Sequence, residues 1–116
     1  MCDVQLRGRG TELTVQIENS GKTPLKIQQL DVYRTVFVSL AGLTPNKAVD
    51  GLTIGVPLKI PSTQVLDRRF SIRRCLDEYR PLRPGIYDVT AIYRIDNPLQ
   101  SGFPNEARVT WKAFLW

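Results

Sequence analysis

The chain has 116 residues, 42% hydrophobic and 23% charged, with 16 Lys and Arg against 11 Asp and Glu for a net charge of +5. That is one ordinary globular domain, with too few residues for two independent cores, and no apolar run reaches the ~20 residues of a membrane-spanning helix. There is no histidine and there are two cysteines, which removes the commonest general base, every Ser-His or Cys-His nucleophile pair, and any Cys/His zinc site built within one chain.

Met1-Cys2-Asp3 carries neither the basic nor the apolar region of a signal peptide. Two readings stay open. One is a native cytosolic start; the other is a methionine ahead of a mature domain whose Cys2 carries a lipid. Leu13, Val15 and Ile17 then alternate with Glu12, Thr14, Gln16 and Glu18, the period of a half-buried strand. Residues 19–24 form a turn cluster in which Gly21 can take a positive φ. A second run starts at Leu25 and Ile27 and continues through Leu30, Val32, Val36 and Val38 to Leu40, with a bend expected near Gln28-Gln29, where the alternation changes phase.

Residues 41–61 are punctuated by Gly and Pro and read as a long connection with short edge strands at 52–54 and 58–60. A strand is expected over 63–72. Residues 73–79 are the one helical piece, closed by Pro81. The clearest strand is 86–95, with Tyr87, Val89, Ala91, Tyr93 and Ile95 on one face. A loop follows at 97–105. The last strand, 106–116, puts Ala107, Val109, Trp111, Ala113 and Leu115 on one face and Arg108, Thr110, Lys112, Phe114 and Trp116 on the other. The fold class is therefore all-β, an antiparallel immunoglobulin-like sandwich of seven or eight strands in one domain over 1–116, with a small closed barrel as the alternative. Both ends leave open that the domain is cut from a longer chain.

In the stretch Leu82-Arg83-Pro84-Gly85-Ile86-Tyr87, a Pro-Gly turn feeds a strand and a tyrosine sits two residues after the glycine. In immunoglobulin-like sandwiches such a tyrosine forms a corner, its hydroxyl bonding to backbone just upstream. Tyr87 is thus expected to be structural. The segment Leu13-Thr14-Val15-Gln16-Ile17-Glu18-Asn19-Ser20-Gly21, followed by Pro24-Leu25-Lys26-Ile27, resembles the opening hairpin of bacterial immunoglobulin-like modules, among them cell-adhesion-related domains and intracellular proteinase inhibitors. Residues 82–93 resemble their penultimate strand. The resemblance covers about a quarter of the chain and implies a sandwich serving as a binding or spacer module. No inhibitory loop of such families maps onto these residues, and 41–61 matches none of their patterns.

Arg68, Arg69, Arg73, Arg74, Arg80 and Arg83 are six arginines in a short span, with Asp67, Asp77 and Glu78 among them. They read either as an array for phosphate or carboxylate groups or as a solvated strand end and turn. Strand alternation sends Arg68 and Arg69 to opposite faces. A nucleic-acid face would add interleaved aromatics, and Tyr79 is the one nearby. Phe114 and Trp116 on the polar face of the last strand mark an interface, unless a neighbouring domain or the 101–105 loop covers them. Cys2 and Cys75 read as a disulfide closing a long loop, worth roughly 4 kcal/mol, or as two free thiols.

No cofactor, metal or catalytic residue is expected, and an enzyme is the least favoured class. Asp77-Glu78 is the one adjacent acidic pair, and neighbours on a turn do not face a common substrate. The residues around Asp50 and Asp96-Asn97 lack the oxygen-ligand density a hard cation needs. The first expectation is a non-catalytic protein-binding or assembly module, extracytoplasmic rather than cytoplasmic. It would use Arg73, Arg74, Tyr79, Arg80, Arg83, Phe114 and Trp116 towards a protein partner or neighbouring domain. The second is an enzyme-regulating module such as a protease inhibitor or propeptide; the third is a basic domain docking on polyanions. Nucleic acid is disfavoured as a partner, and a membrane would be met only through lipid on Cys2.

Overall fold

In a computed structural model of the chain, residues 2–26, 33–46, 51–55, 59–79, 81–95 and 106–116 are described. The strands are β1 (Cys2–Arg9), β2 (Glu12–Asn19), β3 (Leu25–Lys26), β4 (Tyr33–Leu40), β5 (Leu52–Gly55), β6 (Lys59–Ile60), β7 (Val65–Ser71), β8 (Gly85–Ile95) and β9 (Glu106–Leu115). Among the described residues the one helix is α1 (Arg73–Leu76), which runs into a 3-10 turn at Asp77–Tyr79. All pairings are antiparallel. They make a three-stranded sheet β1-β2-β7, a four-stranded sheet β5-β4-β8-β9 and a two-stranded ribbon β3-β6. The fold is an all-β antiparallel sandwich. Among the described residues the two facing sheets hold seven strands, and the ribbon adds two.

Period-two alternation decides which side chains enter the core. Leu13, Val15 and Ile17 of β2 have no solvent exposure and lie in register with Gly8, Leu6 and Val4 of β1. Facing them are Val36 and Val38 of β4, Val89, Ala91 and Tyr93 of β8, and Ala113 and Leu115 of β9, all buried in one apolar cluster. The connection from β2 to β4 changes sheet, as does that from β5 to β7 and again from β7 to β8. This interleaving is what locks the layers together.

Three expectations are corrected. The two ends of the run from Leu25 to Leu40 belong to different sheets: β3 pairs with β6 in the ribbon, whereas β4 lies between β5 and β8. The stretch from Leu13 to Ile27 is not a hairpin either, because β2 pairs with β1 and β7. The opening hairpin is β1–β2, turned by Gly10-Thr11 with Gly10 at φ 57, the left-handed first position of a type II′ connection. The strand expected over 63–72 is shorter, since Thr63 sits in a turn at φ 63. The bend at Gln28-Gln29, the position of Leu58 and the 97–105 loop lie outside the described residues.

Two devices close the sandwich. At one end, fully buried Asn19 ties the end of β2 to two turns. Its Nδ2 donates to the carbonyls of Thr23 (3.0 Å) and Ile60 (2.9 Å), and its Oδ1 accepts from the Gly21 N–H at 3.0 Å. Along one side, the Trp111 indole of β9 lies on Gly8 of β1 and donates from Nε1 to the Gly10 carbonyl at 3.0 Å. A Cβ at Gly8 would overlap the Trp111 ring.

Candidate functional site

The outer wall of the four-stranded sheet carries an apolar corner. In β9 the alternation that buries Leu115 (1% exposed) turns Phe114 outward at 57%. The β8–β9 register sets Phe114 opposite Ile86, exposed at 72%. Directly paired residues of an antiparallel sheet share a face, so these two side chains are neighbours on the wall. Trp116, exposed at 55%, follows with its ring centroid 6.2 Å from that of Phe114. Farther along, the wall turns polar: Asp88 pairs in register with Lys112, and the hydroxyls of Thr90 and Thr110 bond at 3.0 Å.

The short helix delivers a cation to this corner. Buried Ile72 is fixed by its N–H to the Thr11 carbonyl (2.8 Å), and its own carbonyl accepts from Cys75 and Leu76 at 2.9 and 3.1 Å. That turn buries Cys75 and Leu76 and leaves Arg73 outside. The Arg73 guanidinium lies 4.8 Å from the centroid of Trp116, a cation–π contact worth about 0.5–1 kcal/mol at an exposed site. Arg73, Phe114 and Trp116, singled out separately in the sequence, thus meet. Ile86 joins them unforeseen: it sits on the polar face of its strand, and only the cross-strand register puts it beside Phe114.

The remaining arginines do not form one array. Arg68 and Arg69 leave opposite faces of β7, the first in register with Val15 and the second with Thr14. Arg74 turns to the other side of α1, into a cleft described below. Arg83 gives its carbonyl to the Tyr87 hydroxyl at 2.5 Å, which is corner geometry, with the Tyr87 ring half-buried against the core. Arg80 lies outside the described residues. Tyr79 is corrected: it is 7% exposed and belongs to the core, because the 3-10 turn rotates it inward behind Cys75 and Leu76.

Of the two readings left open for Cys2 and Cys75, the bridge is the one the structure disfavours. Cys75 is a free, buried thiol. Cys2 is in register with Asn19, whereas the segment leading to Cys75 leaves the sheet where Ser71 pairs with Glu12. Seven strand positions at ~3.3 Å each separate these ends by roughly 23 Å, far beyond disulfide reach.

Cys75 opens on a cleft of about 390 Å³ lined by Leu52, Phe70, Arg74 and Glu78, among others. Burial pushes its thiol above the ordinary 9.0; nearby Arg74 opposes the shift and Glu78 adds to it. The thiol is therefore protonated at neutral pH and a poor nucleophile. One buried carboxylate oxygen of Glu78 has no hydrogen-bond partner among the described residues. Among those residues no three Cys, Asp or Glu side chains gather as metal ligands, and no helix is long and apolar enough to cross a membrane.

The chain matches no protein-family model, no curated protein and no solved structure.

Proposed function

We propose that the chain is a non-catalytic, immunoglobulin-like sandwich module that binds a protein partner or neighbouring domain through Ile86, Phe114, Trp116 and Arg73. The observation that carries this reading is the corner itself: three large apolar side chains, each more than half exposed, adjacent on one wall beside an arginine stacked on the tryptophan. Single exposed apolar residues are ordinary. A contiguous set that includes Trp and Arg has the composition of a binding hot spot. Arg73 has no carboxylate partner among the described residues, so the partner surface this corner fits is apolar with one acidic group facing Arg73. The immunoglobulin-like part of the reading is supported by the two-sheet strand order and by the Tyr87–Arg83 corner.

A photo-crosslinking residue at Phe114, with Thr110 on the same wall as control, tests the reading in the cells that make the protein. The expected result is one discrete adduct from position 114, absent from position 110 and lost with Arg73→Glu. Equal labelling from both positions, or none from 114, contradicts it.

A further inference from the structure

β7 ends its sheet, pairing among the described residues only with β2. The Ile72 N–H bonds to the Thr11 carbonyl and the Asn19 N–H to that of Gln64. In an antiparallel ladder, alternate residues turn their main-chain groups to the same partner. Residues 66, 68 and 70 therefore face β2, and Val65, Asp67, Arg69 and Ser71 turn N–H and C=O to the open edge. The side chains agree: Arg68 Nη1 donates to the outward carbonyl of Asp67 at 2.8 Å.

Such an edge is a template for another strand unless something guards it. Here the guard is charge. Arg68 stands in register with the buried Val15, in the inward-facing row between half-buried Leu66 and Phe70, yet it is exposed. Arg69 stands on the opposite face. Neither has a carboxylate partner among the described residues, and Asp67 is the one acid on β7. Hollows flank the strand: the 390 Å³ cleft at Phe70 and Arg74, one of about 250 Å³ at Arg69 and Ser71, and one of about 190 Å³ at Val65 and Leu66. A second copy of β7 would set arginine against arginine. A strand with carboxylates on both faces meets no such penalty.

We propose that the free edge of β7 takes an extended acidic peptide strand. Its main chain pairs with Val65, Asp67, Arg69 and Ser71; its carboxylates meet Arg68 on one face and Arg69 on the other. Its small apolar side chains enter the hollows beside Leu66 and Phe70, the division of labour of strand addition. Arg68 exchanges partners on binding: its guanidinium leaves the Asp67 carbonyl for a carboxylate, and that carbonyl is freed to accept from the incoming N–H. This edge is separate from the Phe114 corner, and either proposal stands without the other.

The probe is a synthetic heptapeptide, Thr-Val-Glu-Glu-Thr-Val-Thr (the Glu-Val peptide), matched in length to β7; run antiparallel, it sets its two adjacent Glu opposite Arg69 and Arg68, on opposite faces, and its Val opposite Phe70 and Leu66. It is compared with a version N-methylated along one edge, with a Lys-Val version and with a short single-stranded DNA. Binding is followed by amide exchange and fluorescence anisotropy. The Glu-Val peptide is expected to protect the amides of Val65, Asp67, Arg69 and Ser71. N-methylation, or the double substitution Arg68→Glu and Arg69→Glu, weakens binding by about tenfold or more. The Lys-Val peptide binds the doubly substituted protein, whereas Phe114→Ser leaves Glu-Val binding unchanged. The proposal is overturned if the Glu-Val peptide fails to bind at millimolar concentration, or if the N-methylated peptide or the DNA binds as well as Glu-Val, which makes the strip a plain polyanion surface. Loss of binding with Phe114→Ser overturns it too, since the peptide then sits on the outer wall.

Discussion

Asn19 has no exposed surface, yet its side chain is satisfied at both ends by backbone from two separate turns. Its own N–H and C=O pair with Gln64 and Thr63. A buried amide this fully bonded is stabilising as a set, and removing the side chain strands the carbonyls of Thr23 and Ile60 and the Gly21 N–H. Asn19→Ala is expected to lower stability by about 2–4 kcal/mol in urea unfolding, with an unchanged m value; a loss below ~1 kcal/mol would mean water replaces the amide. Nothing in the sequence distinguishes Asn19 from a solvated turn residue, because the groups it joins are brought together only by the ribbon. Tyr79 was misread for a similar reason. Three residues of 3-10 geometry after α1 set the direction its ring takes, and local pattern does not encode that rotation.

At the scale of elements, strong alternation was legible and short pieces were not. β2, β8 and β9 follow from period two over many residues, and Val89 and Tyr93 are buried where that period puts them. β1 has only Val4 and Leu6 before Gly8 interrupts the pattern, too little to announce a strand, and its place was set by pairing with β2. The division of β3 and β4 between two sheets was hidden because both are apolar, and which sheet each joins is a matter of long-range partners. Gly8 shows what β1 contributes: it is the gap that admits Trp111 and closes the sandwich along β1 and β9. Gly8→Ala is expected to destabilise by about 1–3 kcal/mol and to weaken the near-ultraviolet dichroism of Trp111. Gly55→Ala, on the β5 edge with open space around its Cα, is expected to be neutral or stabilising by up to about 1 kcal/mol. Equal effects of the two substitutions in thermal unfolding would mean that Trp111 does not rest on Gly8.

The whole molecule is elongated, 48 × 23 × 18 Å with a radius of gyration of 15.3 Å, against roughly 13 Å for a compact domain of this length. Long strands in two thin layers give it distinct ends. Cys2 and Asn19 lie at one; α1, Ile86 and Trp116 gather at the other. Phe114 and Trp116 could be picked out in the sequence as apolar residues on a polar face, and Arg73 as part of a basic run. Their meeting, and the separation of Arg74 into a different cleft, follow only once α1 is docked between the sheets.

The two tryptophans report on opposite sides of β9, so acrylamide quenching of single-tryptophan variants bears most directly on this arrangement. In the monomeric Trp111→Phe protein, Trp116 is expected to emit towards the red and to be quenched nearly as freely as in a short peptide; in Trp116→Phe, Trp111 is expected to be shifted to the blue and protected. Trp116 as protected as Trp111 would contradict an outer wall held open for a partner.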